Sequence, residues 1–389
     1  MNSYWGLLRT RGVARIIAAQ LLARFPSGMI VLGLLIHVES HFHSYGAAGL
    51  VLAATSIGQA IAGPVTSRLM GSLGGRPVLI TTTVVCAASL TWIGLVEMPL
   101  WGYIAAGLVS GLSFPPVQPA VRTMYPKLVD ASRLSRLFSL DASAQELIWV
   151  LGPMVITVVA MQVSSTIGLL LCAAVLVVGG AWFVSSPELG EVRFAPSSGR
   201  FGAVLLRGPV ILATATGFLM IASTSAIEAS VVKRFGEGGV QAGAILGAMA
   251  MASLVAGFAF GHRTGGKLTL SMWMCTMLFG SLLATTGQSF PWTLAAIGLA
   301  GLGMAPALAV MFSLIAARIR FSETAEAYGW ANTGQLVGAA LGSAVAGFLI
   351  DHMGSNGGFL AAAGFAFLGA LAPLAFFRAR DWHRRRRIA

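Results

Sequence analysis

The stretch DASAQELIWVLGP, residues 141–153, decides how this chain is read. It opens an apolar run of roughly 25 residues, enough for a helix to cross a bilayer. Yet it carries Asp141, Gln145, Glu146 and Trp149 ahead of Gly152 and Pro153. An ionised carboxylate in hydrocarbon costs several kcal/mol, so acids at this depth are expected to serve a function.

The rest of the composition agrees with a membrane setting. Hydrophobic residues make up 56% of the 389 and charged residues 10%, too few to coat a soluble surface. The 48 glycines suit helices that pack closely in a membrane. A net charge of +12 does not mark a nucleic-acid binder, because the basic residues alternate with apolar spans and form no single patch. Arg384 to Arg387 follow the last span and read as an anchor at anionic lipid. Cys86, Cys172 and Cys275 all lie in apolar runs and read as small buried hydrophobes, not disulfides. The first apolar run has no small-residue cleavage site, so it is read as a span and not a signal peptide.

Twelve spans are expected, at approximately 13–38, 46–70, 77–96, 99–121, 137–161, 165–185, 208–232, 239–261, 268–288, 291–317, 325–350 and 356–377. Two connections are longer than the rest: 122–136, and 186–207, which reads as a linker between two halves. If the N-terminus is cytoplasmic, 22 of the 25 Lys and Arg fall inside. Lys233 and Arg234 fall outside, and Arg24 lies within span one. That asymmetry places both termini in the cytoplasm, with the protein in the cytoplasmic (inner) membrane.

The halves repeat at a fixed offset of 190 residues. Gly111-Leu112 matches Gly301-Leu302, Pro116 matches Pro306, Gln145 matches Gln335, and Leu151-Gly152 matches Leu341-Gly342. Phe138 faces Tyr328 and Ser143 faces Thr333. Both copies run in the same direction, so the repeat is parallel, about an axis along the membrane normal.

Two parallel six-span halves joined by a central linker resemble the major facilitator superfamily. The segment between spans two and three, GPVTSRLMGSLGGRP at residues 63–77, resembles that family's loop signature, roughly G-x-L-x-D-R-x-G-R-R. Gly63, Arg68, Gly74, Arg76 and Pro77 are the loop-motif residues; Gly71 and Ser72 stand where the signature has Asp and Arg. A weaker echo is Gly265-Gly266-Lys267. The family's drug:proton antiporters often carry an Arg in span four where this chain has Gly107, and a G-P-x-x-G-G ending in span five where Ile156-Thr157 replace the glycines. The chain is most similar to actinobacterial, drug-exporter-like members with twelve helices. The resemblance implies an all-α membrane protein of twelve transmembrane helices in two pseudo-repeated six-helix bundles. These are 1–186 and 208–389, joined by a cytoplasmic linker at 187–207.

Candidate transport residues follow from depth. Counting about 1.5 Å per residue, Arg24 lies roughly 16 Å into span one and Glu146 roughly 14 Å into span five, both near mid-membrane. In the family these spans are neighbours, so an Arg24–Glu146 pair is expected. It reads either as a charge switch broken by substrate or proton, or as a permanent ion pair that fixes packing. Asp141 reads as a cytoplasmic gate carboxylate or as a wet acid near Arg136 or Arg76. Glu228 reads as an outer-gate carboxylate or as one that snorkels beside Lys233. Arg24, Glu146, Asp141 and Glu228 are thus the proton-coupling or gating candidates. Gln59, Gln145, Trp149, Tyr328, Asn332 and Gln335 are the substrate-cavity candidates, each otherwise a helix–helix hydrogen bond. Pro26, Pro115-Pro116 and Pro306 are expected to bend spans one, four and ten.

His37 and His41 have i,i+4 spacing that suits a metal, but no further ligand set supports one, and exposed loop histidines are the plainer reading. No metal and no cofactor is expected. Nor is an enzyme: there is no assembled nucleophile, and the Gly71 to Gly75 loop lacks the Lys-Ser/Thr of a phosphate loop. The expected function is secondary active transport of a small molecule by alternating access, read as proton-coupled export of amphipathic compounds. Its partners would be the substrate, protons and membrane lipid, with no nucleic acid, and the chain working as a monomer. A facilitator or importer of a small metabolite is the alternative, and a non-transporting receptor or scaffold a further one.

Overall fold

A computed structural model describes residues 4–192, 194, 200–236, 240–260 and 268–386. The Gly265-Gly266-Lys267 echo, Arg193, Arg263, the whole Pro196–Gly199 turn-rich run and Arg387 lie outside the described residues. Among those described, every regular element is helical. Eleven segments are long and apolar enough to cross a membrane, and a twelfth, Thr269–Thr285, is apolar but 17 residues long.

A short α1 (Tyr4–Leu8) precedes the first span. That span is two helices, α2 (Val13–Arg24) and α3 (Ile30–Phe42), joined by a 3-10 turn at Phe25–Gly28. Then come α4 (Tyr45–Leu73), α5 (Gly75–Leu95), and a fourth span split into α6 (Leu100–Leu112) and α7 (Val117–Leu128). Spans five and six are α8 (Ala131–Gln162) and α9 (Ser165–Ser185), followed by the short α10 (Pro187–Glu191). The second half holds α11 (Gly208–Phe235), α12 (Val240–Phe260) and α13 (Thr269–Thr285). Its tenth span is split into α14 (Phe290–Gly301) and α15 (Met304–Arg318), and α16 (Phe321–Met353) and α17 (Ser355–Arg386) complete it.

Spans one, four and ten are therefore broken where prolines bend them. Pro26 sits inside the 3-10 turn, and Pro115-Pro116 fill the gap after α6. Pro306 falls in the first turn of α15, where its missing N–H costs no intrahelical bond. Pro64 and Pro153 lie inside unbroken helices. The expected loop at 122–136 is instead helical except at Val129-Asp130. Hydropathy marks where the apolar run ends, but a helix continues past that point with a polar surface. At 32 and 33 residues, α8 and α16 are each about 50 Å long, well beyond a ~30 Å hydrocarbon core.

The chain sorts into two compact units. One comprises Met1–Ala131, Leu147–Val204 and Ile319–Thr333; the other comprises Ser132–Glu146, Leu205–Arg318 and Gly334–Ala389. Helices α8 and α16 each contribute one part to each unit. Inside the first unit α2 packs on α9, α4 on α6, and α5 on α9. Inside the second, α11 packs on α17, α12 on α14, and α13 on α17. Matched span for span, these are the same three pairings, as a parallel repeat requires.

Two glycines of the first unit bring spans one and five together. A Cβ on Gly152 would lie 2.9 Å from the Gly28 backbone, and one on Gly28 would strike the Ile148 carbonyl oxygen. Gly247, by contrast, has open space around it. Gly152→Ala is expected to lower the melting temperature of the purified protein in detergent, by overpacking worth about 1–3 kcal/mol. Gly247→Ala should leave it level or raise it slightly, since Ala is the better helix former. Equal melting temperatures for the two variants would contradict the close packing.

Candidate functional site

The first unit contains a buried cationic set. Arg24 closes α2 just before the 3-10 turn, and its Nη1 donates to Gln20 Oε1 at 2.8 Å, one helical turn back. Arg122, on α7, is fully buried. With the Gln118 amide set by its neighbours, its nitrogen donates to Asn332 Oδ1 at 3.0 Å, and its oxygen accepts from Arg122 Nη2 at 2.9 Å. This relay places Asn332, a cavity candidate, within one residue of a buried charge. Tyr328 is buried on the same helix, Gln59 is half-buried on α4, and Trp149 is exposed on α8.

The loop-motif residues cluster at the other end of α4. Gly74 ends that helix at φ +91, a conformation that only glycine adopts without strain. Arg76 Nη2 donates to the Ser186 carbonyl at 3.3 Å. Arg68 Nη1 pairs with Glu326 Oε2 at 3.3 Å, and Glu326 is buried. A Cβ on Gly63 would meet the Gly329 carbonyl oxygen at 3.2 Å, and one on Gly329 would lie 2.6 Å from the Gly63 oxygen. Beside them Thr333 Oγ1 donates to the Ala60 carbonyl at 2.7 Å.

The second unit contains the candidate acids Asp141, Glu146 and Glu228. Ser253 Oγ donates to Glu146 Oε1 at 2.8 Å, and accepts from the Ala305 backbone N–H at 3.1 Å. Ala305 lies in the first turn of α15, where a helix N–H has no partner within its own helix. The break in span ten thus frees a donor that fixes Ser253, which in turn holds the buried Glu146. Nearby, Ser139 Oγ donates to the Gly257 carbonyl and Ser143 Oγ to the Leu254 carbonyl at 3.4 Å. Asp141 is fully buried, Gln145 half-buried, and Gln335 buried beside Gly217. Glu228 is exposed on α11. Arg234, near the end of that helix, donates to the carbonyls of Ala284 and Gly287 and to Thr293, tying α11 to α13 and α14.

The two units repeat one closure. Thr333 with Ala60 joins α16 to α4, and Ser143 with Leu254 joins α8 to α12. The hydroxyl residues are 190 apart and the carbonyl residues 194 apart. Gly63 and Gly257 are also 194 apart, and a Cβ on Gly257 would run into Ser143 Oγ. Ser253 occupies the place that Gln59 holds in α4. The gapless offset of 190 pairs Gln59 with Met249 instead, so the sequence reading passes over Ser253. Gln118 and Glu326 are likewise not marked by the repeat, since Asn332 and Arg68, which they meet, are far away in sequence.

The histidine reading changes. His37 is buried, with Nε2 3.0 Å from the Ile93 carbonyl oxygen and Nδ1 3.1 Å from Ser165 Oγ. Facing a carbonyl, Nε2 must donate, which leaves Nδ1 to accept from Ser165. Among the described residues no group of three or more His, Cys, Asp or Glu is placed to hold a metal.

The sequence profile described as Major Facilitator Superfamily matches residues 16–267 and 259–387. The chain belongs to that superfamily. It is a multi-pass membrane transporter of a small-molecule substrate, and not an enzyme. The fold is shared with the human organic anion transporter MFSD10 (TETRAN), at 18% identity and a TM-score of 0.73, over 93% of this chain and 98% of that one. A bacterial homologue of the iron transporter ferroportin, in its outward-facing state, is 13% identical with a TM-score of 0.75, over 94% and 99%. The proton:xylose symporter XylE, bound to 6-bromo-6-deoxy-D-glucose, is 13% identical with a TM-score of 0.70, over 92% and 94%. At these identities the likeness is one of fold. No curated protein matches the sequence as a relative.

Ser253→Ala removes both the donor to Glu146 and the acceptor for Ala305. It is expected to cost about 1–3 kcal/mol, read as a lower thermal midpoint in detergent. Ser281→Ala is the control: its buried Oγ has no partner among the described residues, so its loss should be neutral or stabilising. A midpoint unchanged by Ser253→Ala would contradict the Glu146–Ser253–Ala305 chain.

Proposed function

We propose that this transporter exports small amphipathic molecules in exchange for protons, and that Glu146 carries the coupling proton. The observation that carries the reading is a buried carboxylate in an apolar helix, held by the neutral hydroxyl of Ser253, which is itself fixed by a backbone N–H. Ser253 supplies one hydrogen bond and no charge. Such a site holds a carboxylate without locking it in one protonation state, which suits a group that must gain and lose a proton.

Arg24 is the proposed counter-charge that substrate or proton sets free, and Asp141 and Glu228 are the further acids on the proton's route. Gln59, Gln145, Trp149, Tyr328, Asn332 and Gln335 are the proposed substrate contacts, to which we add Gln118 and Arg122. The Lys and Arg count supports cytoplasmic termini in the inner membrane, with bundles 1–186 and 208–389 and a cytoplasmic linker at 187–207. In that orientation the α4–α16 closure and the α8–α12 closure each fall toward the cytoplasmic ends of their helices, where each would act as an inner-side closure of its own unit, and a single chain does the work as a monomer. The drug-exporter-like reading rests on Gly152-Pro153 and on the loop motif.

One observation favours a second reading. Gly107 and Ile156-Thr157 stand where antiporters of this family carry an Arg and two glycines. A facilitator or importer of a small metabolite would have no need of them.

Proteoliposomes carrying ethidium as a fluorescent amphipathic probe decide between the two. Under an imposed pH gradient the wild-type protein is expected to move ethidium, and Glu146→Gln to lower that flux at least about tenfold, the scale of a missing proton carrier. Gradient-driven flux untouched by Glu146→Gln would sink the coupling role. Flux indifferent to the gradient would favour the facilitator.

A further inference from the structure

The connection between the two halves does not simply pass by the ends of α4 and α16. Gly202 turns at φ +77, a left-handed conformation, and its N–H donates to Glu326 Oε1 at 2.8 Å. The other oxygen of Glu326 faces Arg68 at 3.3 Å. The preceding residue, Phe201, lies with its ring 5.7 Å from that of Trp330, and the Arg68 guanidinium carbon is 5.8 Å from the Phe201 centroid. Glu326 and Trp330 are four residues apart, so they share one face of α16. Two successive residues of the connection therefore touch one side chain of α4 and two of α16.

The start of the connection is fastened separately. Arg76 donates to the Ser186 carbonyl, Arg15 pairs with Glu188, and the Phe194 ring lies where a Cβ on Gly75 would otherwise sit. These anchors are on α2 and α5, and Phe194 also lines a small cleft with Arg68 of α4 and with Phe321 and Glu326 of α16. The connection is thus fastened to α2 and α5 at its beginning, and its end reaches the helix pair that closes through Thr333 and Ala60.

We propose that Phe201 and Gly202 form a latch, which stabilises the closed arrangement of α4 and α16 beyond what the Arg68–Glu326 ion pair does alone. Three contributions make it up. The Gly202 N–H gives Glu326 Oε1 a partner inside the protein, and a buried carboxylate oxygen without one would be costly. The Phe201 ring draws the Arg68 guanidinium by cation–π attraction. The same ring packs against Trp330 on the opposite helix. If the closure opens, all three are broken or redistributed together, so the connection opposes opening. This inference concerns how the closure is held, and it stands whichever substrate or coupling ion the transporter uses.

Disulfide formation between Ala60→Cys and Thr333→Cys measures the closure, in a background with Cys86, Cys172 and Cys275 replaced by alanine. The readout is the initial rate of oxidative cross-linking in membranes. Phe201 is 51% exposed, so shortening it leaves the core intact. Phe201→Ala is expected to slow cross-linking by about threefold, the scale of one cation–π or ring contact, and Phe201→Tyr to restore it. Phe201→Ala that cross-links at the parent rate would overturn the latch, and Arg68→Ala slowing it in the same assay would assign the fastening to the ion pair instead. Because the readout is a cross-link and not a flux, that failure is distinct from a failure of the coupling proposal.

Discussion

In hydrocarbon a polar group finds a partner inside the protein or goes without, and that constraint shapes each closure described above. Where α4 meets α16, and where α8 meets α12, a hydroxyl donates to the carbonyl of the facing helix. That bond forms only if the backbones come close, and Gly63, Gly329 and Gly257 let them. A carbonyl already bonded within its helix still has a second lone pair, so the contact disrupts neither ladder. It adds a weak bond to a patch of backbone contact. Further polar contacts stand beside it, Arg68–Glu326 at α4–α16 and Ser139–Gly257 with Ser253–Glu146 at α8–α12.

Over this repeated scaffold the charges are not repeated. Asp141 and Glu146 face Ala331 and Leu336 in the other copy, while Arg24 and Arg122 are both in the first half. The partner given to Glu146 is likewise specific to one half, because Ser253 stands where the other copy has Gln59. The helix break before Ala305 supplies the N–H that orients Ser253. A bend often attributed to flexibility here has a chemical consequence: it exposes a donor at the depth of the buried acid.

Much of the architecture was legible in the sequence. The spans are a matter of hydrophobic length, and the repeat shows in Gly, Pro and Gln at one offset. The broken spans follow from Pro26, Pro115-Pro116 and Pro306. The 122–136 segment is helical where hydropathy predicts a loop, because hydropathy reports where a helix leaves the membrane, not where it ends. Site residues divide the same way. Asp141, Glu146 and Arg24 stand out because charge is rare at that depth. Ser253 and Gln118 do not, since a lone hydroxyl or amide in an apolar helix has meaning only through its partner. His37 looks like a loop histidine in the sequence, which does not reveal that Ile93 and Ser165 come to meet it.

For alternating access by this transporter, the α8–α12 closure must open and re-form in each cycle. Ser143→Cys with Leu254→Cys tests it directly, because these positions already approach within hydrogen-bonding reach. Ethidium flux in proteoliposomes is measured before oxidation, after complete cross-linking, and again after reduction. The account expects flux to stop on cross-linking and return on reduction. Fully cross-linked protein that transports at the reduced protein's rate would contradict it.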